Sequence, residues 1–195
     1  ISAILFGGRR ATNVPLVTQA RSWEHGVFLG SIMSSETTAA KAGATGEVRF
    51  DPFAMLPFCG YNMADYFAHW FAIGAKADRS KLPQMFWVNW FRRGDDRSFL
   101  WPGFGDNARV LKWVLERLDG TADAVDTPIG FVPAAGSVDV SGLDVSDDTM
   151  AALAEVDPVA WKGELDLIRD HYAIFGDRLP GPLTSQLADL ERRLS

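Results

Sequence analysis

The sequence predicts a mixed α/β fold, a mixed-sheet portion over residues 1–133 followed by a helical tail over 134–195, the two forming a single domain. Three observations carry this expectation. Short runs of Val, Ile, Leu, Phe and Trp bounded by Gly or Pro recur before residue 133. Two stretches in the same region place apolar residues at helical spacing. Beyond residue 134 an acidic, turn-rich stretch, GSVDVSGLDVSDD, leads into segments with helix starts. Strict alternation of strand and helix is absent, so a regular Rossmann sheet is not expected.

Taken in order, ISAILFGG opens the chain as a short apolar strand stopped by Gly7–Gly8. HGVFLGSIM (25–33) reads as a second strand. SSETTAAKAGATG (34–46), built of small and hydroxylated residues, reads as a mobile loop, and GEVRF (46–50) returns as a strand. Asn62 is placed to cap a helix whose apolar face is Met63, Tyr66, Phe67, Trp70, Phe71 and Ile73. QMFWVNWF (84–91) is a strong strand. Asp106 or Asn107 caps ARVLKWVLERLDG, where Val110, Leu111, Val114, Leu115 and Leu118 form a stripe and Gly120 a stop. TPIGFVP (127–133) is a short extended run. In the tail Asp157–Pro158 starts a helix, and DLIRDHYAIF and LTSQLADLERRL complete an amphipathic segment suited to packing and cover.

Composition sets bounds. The 195 residues, 47% hydrophobic and 23% charged, suffice for a substantial core. A net charge of −6 argues against nucleic acid as a partner, because that affinity rests on Lys and Arg neutralising phosphates. The single cysteine, Cys59, permits no internal disulfide, fits a reducing compartment and is expected to be a quiet buried thiol. No run approaches the roughly 18 apolar residues that span a bilayer, so no membrane partner is expected. The apolar opening at Ile1, without an initiator Met, reads as the C-terminal piece of something longer. His25 and His69 have no neighbours at metal spacing and read as structural, so no metal site is expected in this chain.

The stretch Asn89–Asn107, NWFRRGDDRSFLWPGFGDN, sets rings among turn residues. Trp90 and Phe91 end a strand and suit the core. Phe99, Trp101 and Phe104 lie on a glycine-containing loop, where flat apolar faces suit stacking on a purine base. An amide such as Asn107 can read a base edge, and a helix beginning near Ala108 offers N–H groups and a positive dipole end. Core filling and base stacking both stand at this point. PGFGDNA is a weak G-x-G-x-x-A match with only SFLW as its preceding strand. FGGRRA (6–11) places two arginines after a permissive turn, as a phosphate or carboxylate site or as a solvated turn. No Ser-His-Asp set or Walker loop is present, so these residues supply part of a binding site and no complete catalytic machine.

FGGRR, PLV, SWEHGVF, SSETTAA, DPFAMLPFCGYN, AHW, VNWFR and FLWPGFGDN together resemble the C-terminal part of the GTP-dependent phosphoenolpyruvate carboxykinases, in order and at family spacing. The resemblance runs from about residue 4 to residue 133 and continues more loosely through the tail. It implies that the sheet portion is the nucleotide-facing part of that family's C-terminal lobe. Phe91, Phe99 and Phe104 would sandwich guanine, with Trp90 lining the pocket. Phe104, Gly105, Asp106 and Asn107 would read the base edge, Asn107 foremost. Arg9 would contact the nucleotide phosphates during transfer, with Arg10 a weaker candidate. Residues 34–46 would form a lid, in which Lys41 stands where the family commonly has a small residue.

The family reaction converts oxaloacetate and GTP to phosphoenolpyruvate, carbon dioxide and GDP in gluconeogenesis, in the cytoplasm and with Mn2+ and Mg2+. The phosphate-cradling loop with its lysine, the metal ligands and the oxaloacetate arginines have no counterpart in these 195 residues. The resemblance therefore implies a fragment of a monomeric enzyme, inactive alone. A stand-alone guanine-nucleotide-binding module without catalysis is the alternative. A single-stranded nucleic-acid binder using the same rings is a third reading, weakened by the acidic balance.

Overall fold

The computed structural model describes residues 1–37 and 47–195. Its main sheet is built from β1 (Ala3–Gly7), β2 (Val17–Gln19), β5 (Gln84–Val88), β6 (Ala124–Thr127) and β7 (Gly130–Pro133), in the order β1-β5-β2-β7-β6. β1 pairs parallel to β5, from Ala3 opposite Gln84 to Gly7 opposite Val88. On its other side β5 meets β2 antiparallel, and the β6–β7 hairpin extends the sheet from β2. A separate ribbon pairs β3 (Ser34–Glu36) with β4 (Val48–Phe50). The expectation of a mixed α/β fold with a helical C-terminal region holds.

β5 is apolar on both faces, and the sheet uses both. Met85 and Trp87 join one core cluster, Phe86 and Val88 the other, as alternation along a strand requires. Against the first face pack α1 (Trp23–Ser31), α2 (Met63–Lys76), α5 (Pro158–Ala173) and α6 (Gly181–Arg193), through Val27, Phe67, Trp161, Leu165, Leu183 and Leu190. Against the second pack α3 (Asn107–Leu118) and α4 (Asp147–Ala154), through Val110, Trp113, Val114 and Leu153. The tail helices thus share their clusters with residues of the sheet.

Several local expectations are corrected. Residues 25–33 do not form a strand: most of them lie in α1, whose N-cap Ser22 accepts from the His25 N–H through Oγ at 3.1 Å. All but Glu24 of its residues are buried, and a helix apolar all round leaves the same unbroken run as a buried strand. A side chain at Gly30 would meet the Phe53 ring, which packs directly on this helix. On α3 the buried face is Val110, Trp113 and Val114, while Leu111 and Leu115 point to solvent. Trp113 draws that face onto the sheet, its ring standing edge-on to Phe86 at 6.3 Å.

On α2, Asn62 caps as expected by accepting from the Ala64 N–H at 2.9 Å, but Ile73 is exposed. Asp157 caps α5 by accepting from the Val159 N–H at 2.8 Å. Ser34–Glu36, expected as the start of a loop, are the strand β3, and residues 38–46 of the expected lid, Lys41 included, lie outside the described residues. Cys59 is half-buried rather than buried, with Sγ 3.4 Å from the Tyr61 carbonyl.

Candidate nucleotide site

Because β1 and β5 are parallel neighbours, their C-terminal ends open side by side, and each runs straight into a predicted segment. That edge is where open α/β sheets place ligands. After β1 the chain passes close to β3: a Cβ on Gly8 would lie 2.2 Å from the Ser34 carbonyl oxygen. Arg9 then has its backbone held on β3, its N–H donating to Ser35 Oγ at 3.1 Å and its carbonyl accepting from the Glu36 N–H at 2.8 Å. Its side chain is exposed, and among the described residues it makes no ion pair.

Arg10 turns the other way. Only 3% exposed, it forms an ion pair with both carboxylate oxygens of Glu164 and donates to Ser34 Oγ at 2.8 Å. A guanidinium so engaged serves the core, which sets Arg10 apart from exposed Arg9.

A cavity of about 370 Å³ joins the two strand ends, lined by Gly7, Gly8, Arg9, Asp51, Trp90 and Phe91 among others. Asn89, which sequence reasoning missed, staples its two walls together. Wholly buried, its side chain accepts from the Arg10 and Phe91 N–H groups and donates to the Arg10 and Val14 carbonyls. A polar residue directly after an apolar strand was the signal for it.

The remaining rings continue from Phe91. Phe99 stands edge-on to it, with centroids 6.0 Å apart, and carries the Arg93 guanidinium 3.9 Å above its face. Phe99 is half-exposed. Trp101 departs from the loop reading, since it is 1% exposed and packed in the core beneath α3. Phe104 is the opposite extreme at 97% exposed, on left-handed backbone with φ +48° after Gly103 at φ +79°. Few bulky residues adopt that conformation, and such strain concentrates at functional sites. Gly105 is exposed. The Asp106 carboxylate accepts from Arg109 Nε at 3.1 Å, and Asn107 Oδ1 accepts from Trp101 Nε1–H at 2.9 Å. Cavity and loop therefore share Phe91, while Phe99 and Phe104–Asn107 do not line the cavity itself.

Neither described histidine with a perturbed pKa belongs to this site. Burial, with help from Arg193 and Arg21, lowers His25 to about 3, and burial lowers His171 to about 4 against the bond to the Ser31 carbonyl. A larger apolar cavity, about 570 Å³, lies between the β6–β7 hairpin and α4, and none of the predicted residues lines it. Among the described residues no group of three or more His, Cys, Asp and Glu could hold a metal ion. No helix among them is long and apolar enough to cross a membrane.

Residues 1–193 match the family model described as the phosphoenolpyruvate carboxykinase C-terminal P-loop domain. The chain is 57% identical over 194 residues to the phosphoenolpyruvate carboxykinase (GTP) of Paenarthrobacter aurescens. It is 56% identical over 195 residues to that of Arthrobacter sp. and 54% identical over 195 residues to that of Neocallimastix frontalis. Each match covers 100% of this chain and 32% of the relative, so the chain spans about a third of the length of these relatives.

Proposed function

This chain belongs to the GTP-dependent phosphoenolpyruvate carboxykinase family, within its C-terminal P-loop domain, and from that premise we propose that it supplies the guanine-nucleotide side of a carboxykinase active site. The observation that carries the reading is the cavity at the ends of β1 and β5, which sets exposed Arg9 against Trp90 and Phe91. Phe104, exposed on strained backbone just beyond the Phe91–Phe99 pair, supports it, because a base stacked there would cover a ring that nothing among the described residues covers.

In this reading Phe91, Phe99 and Phe104 hold the guanine faces, Trp90 lines the pocket, and the Phe104–Gly105–Asp106–Asn107 turn reads the edge. Asp106 contributes through its backbone, since Arg109 holds its carboxylate. Arg9 meets the nucleotide phosphates, and its planar guanidinium neutralises charge on the transferring group. The whole enzyme converts oxaloacetate and GTP to phosphoenolpyruvate, carbon dioxide and GDP in gluconeogenesis. Loss of carbon dioxide leaves an enolate, whose oxygen takes the γ-phosphoryl group as the bond to GDP breaks. Positioning and charge neutralisation carry such a transfer.

Among the described residues no group of three or more His, Cys, Asp and Glu could hold Mn2+ or Mg2+, so no step here runs through them. We place the protein in the cytoplasm as a monomer, and assign no activity to the 195 residues alone.

Titration of the full-length protein with GDP and ADP, following tryptophan emission, tests the reading. Quenching by GDP and not by ADP is expected. Equal responses would remove the guanine assignment, and oxaloacetate-dependent GTP turnover by the isolated 195-residue chain would overturn its assigned inactivity.

A further inference from the structure

We propose that Trp101 is a positioning residue for base selectivity, acting through Asn107; the proposal rests on the guanine reading above. Trp101 has its ring locked among Leu16, Val88, Val110 and Trp113 in the core. An indole has one polar atom, which can only donate and needs a partner when buried. That partner is Asn107 Oδ1 at 2.9 Å. The chain between them folds back through two left-handed residues, Gly103 and Phe104, and the Asp106 N–H closes the turn onto the Gly103 carbonyl at 3.1 Å. The strained turn therefore brings residue 107 back to residue 101 while leaving Phe104 in solvent.

The consequence for Asn107 is chemical. A carboxamide carries an acceptor at one end and two donors at the other. With Oδ1 held by a group that can only donate, the amide cannot flip without leaving the buried indole N–H unpaired. Among the described residues the Asn107 side chain bonds only through Oδ1, so the end left for a ligand is the Nδ2 donor. Guanine presents a carbonyl oxygen, O6, at the position where adenine presents an NH2 group. A pinned donor bonds the first and opposes the second. Freed from Trp101, the amide can turn its oxygen outward and accept from adenine.

The test measures GDP, IDP and ADP dissociation constants for the full-length protein, Trp101→Phe and Asn107→Asp. Trp101→Phe keeps an aromatic ring in the core and removes the N–H donor together with part of the indole's volume, a loss that acts on all three nucleotides alike. It is expected to cut the GDP-over-ADP preference by about tenfold, the scale of one hydrogen bond lost or unpaired. GDP and IDP, which share O6, weaken together, while ADP does not weaken. Parallel weakening of all three, or an unchanged ratio, assigns Trp101 to packing alone and overturns the proposal. Asn107→Asp covers the case in which Trp101→Phe does not fold: it still accepts from the indole but offers a second acceptor, and is expected to reverse the preference toward ADP. An unchanged preference in Asn107→Asp also overturns the proposal. A wild-type protein with no preference for GDP removes the underlying guanine reading and this proposal with it. A wild type that prefers GDP, with variants that leave the ratio intact, removes the proposal alone.

Discussion

Arg10 and Glu164 form a buried ion pair across 154 positions of sequence, joining the loop after β1 to α5. The same carboxylate accepts from Asn13 Nδ2, and the same guanidinium donates to Ser34 on β3. One helix of the tail therefore anchors the loop that carries Arg9.

Removing Glu164 leaves the Arg10 guanidinium buried with only Glu36, 3.8 Å away, as a carboxylate partner. Glu164→Leu is expected to destabilise the protein by about 3–5 kcal/mol in urea unfolding. Arg9→Ala, by contrast, changes an exposed side chain and is expected to leave the unfolding midpoint in place while slowing phosphoryl transfer. Equal effects of Arg9→Ala and Arg10→Ala on stability would contradict the division of labour between these neighbours.

Phe104 offers the complementary separation. At 97% exposed it contributes little to the core of this chain, and its positive φ costs energy. Phe104→Gly is expected to hold or raise the melting temperature. GDP affinity is expected to fall about 5- to 150-fold, as loss of base stacking costs about 1–3 kcal/mol. Calorimetry with GDP checks it, and unchanged affinity would remove Phe104 from the site.

Gly8 tests the cavity wall. Any Cβ there meets the Ser34 backbone carbonyl at 2.2 Å, and a backbone oxygen held in β3 cannot yield cheaply. Gly8→Ala is expected to cost about 1–3 kcal/mol of stability, as overpacking does. Because Arg9 is tied to the same strand, nucleotide affinity should fall along with it, and a fluorescence titration reads both effects.

Acid sensitivity follows from the two buried histidines. Unfolded, each takes a proton near pH 6.5, whereas the folded protein holds His25 at about 3 and His171 at about 4. The unfolded state thus binds more protons across that window. The stability from keeping them neutral is complete above about pH 6.5 and declines as pH falls toward 4 and then 3. His171→Phe, which keeps a ring against Phe50, is expected to flatten the dependence between pH 6.5 and 4. Urea midpoints across that range measure it, and an unchanged slope would contradict the assignment.

Elements whose signal is local were legible in the chain. β1, β5, α2, α5 and the caps Asn62 and Asp157 follow from apolar runs and capping residues a few positions apart. So did the grouping of Phe91, Phe99, Phe104 and Asn107 on one stretch, because that grouping is itself sequential. β2, only three residues long, is too short to show a period, and α1, buried all round, has no polar face to distinguish helix from strand. Arg9 and Arg10 are identical in type and adjacent. What separates them is the distant Glu164, so no local pattern could say which is buried and which is exposed. Trp101 and Phe104 likewise share a loop and an aromatic face, yet one is core and the other solvent. Local sequence specifies which groups a segment carries, through propensity and spacing. Which way each group points is decided by the desolvation of partners brought together from far along the chain, and that exists only once the chain has folded.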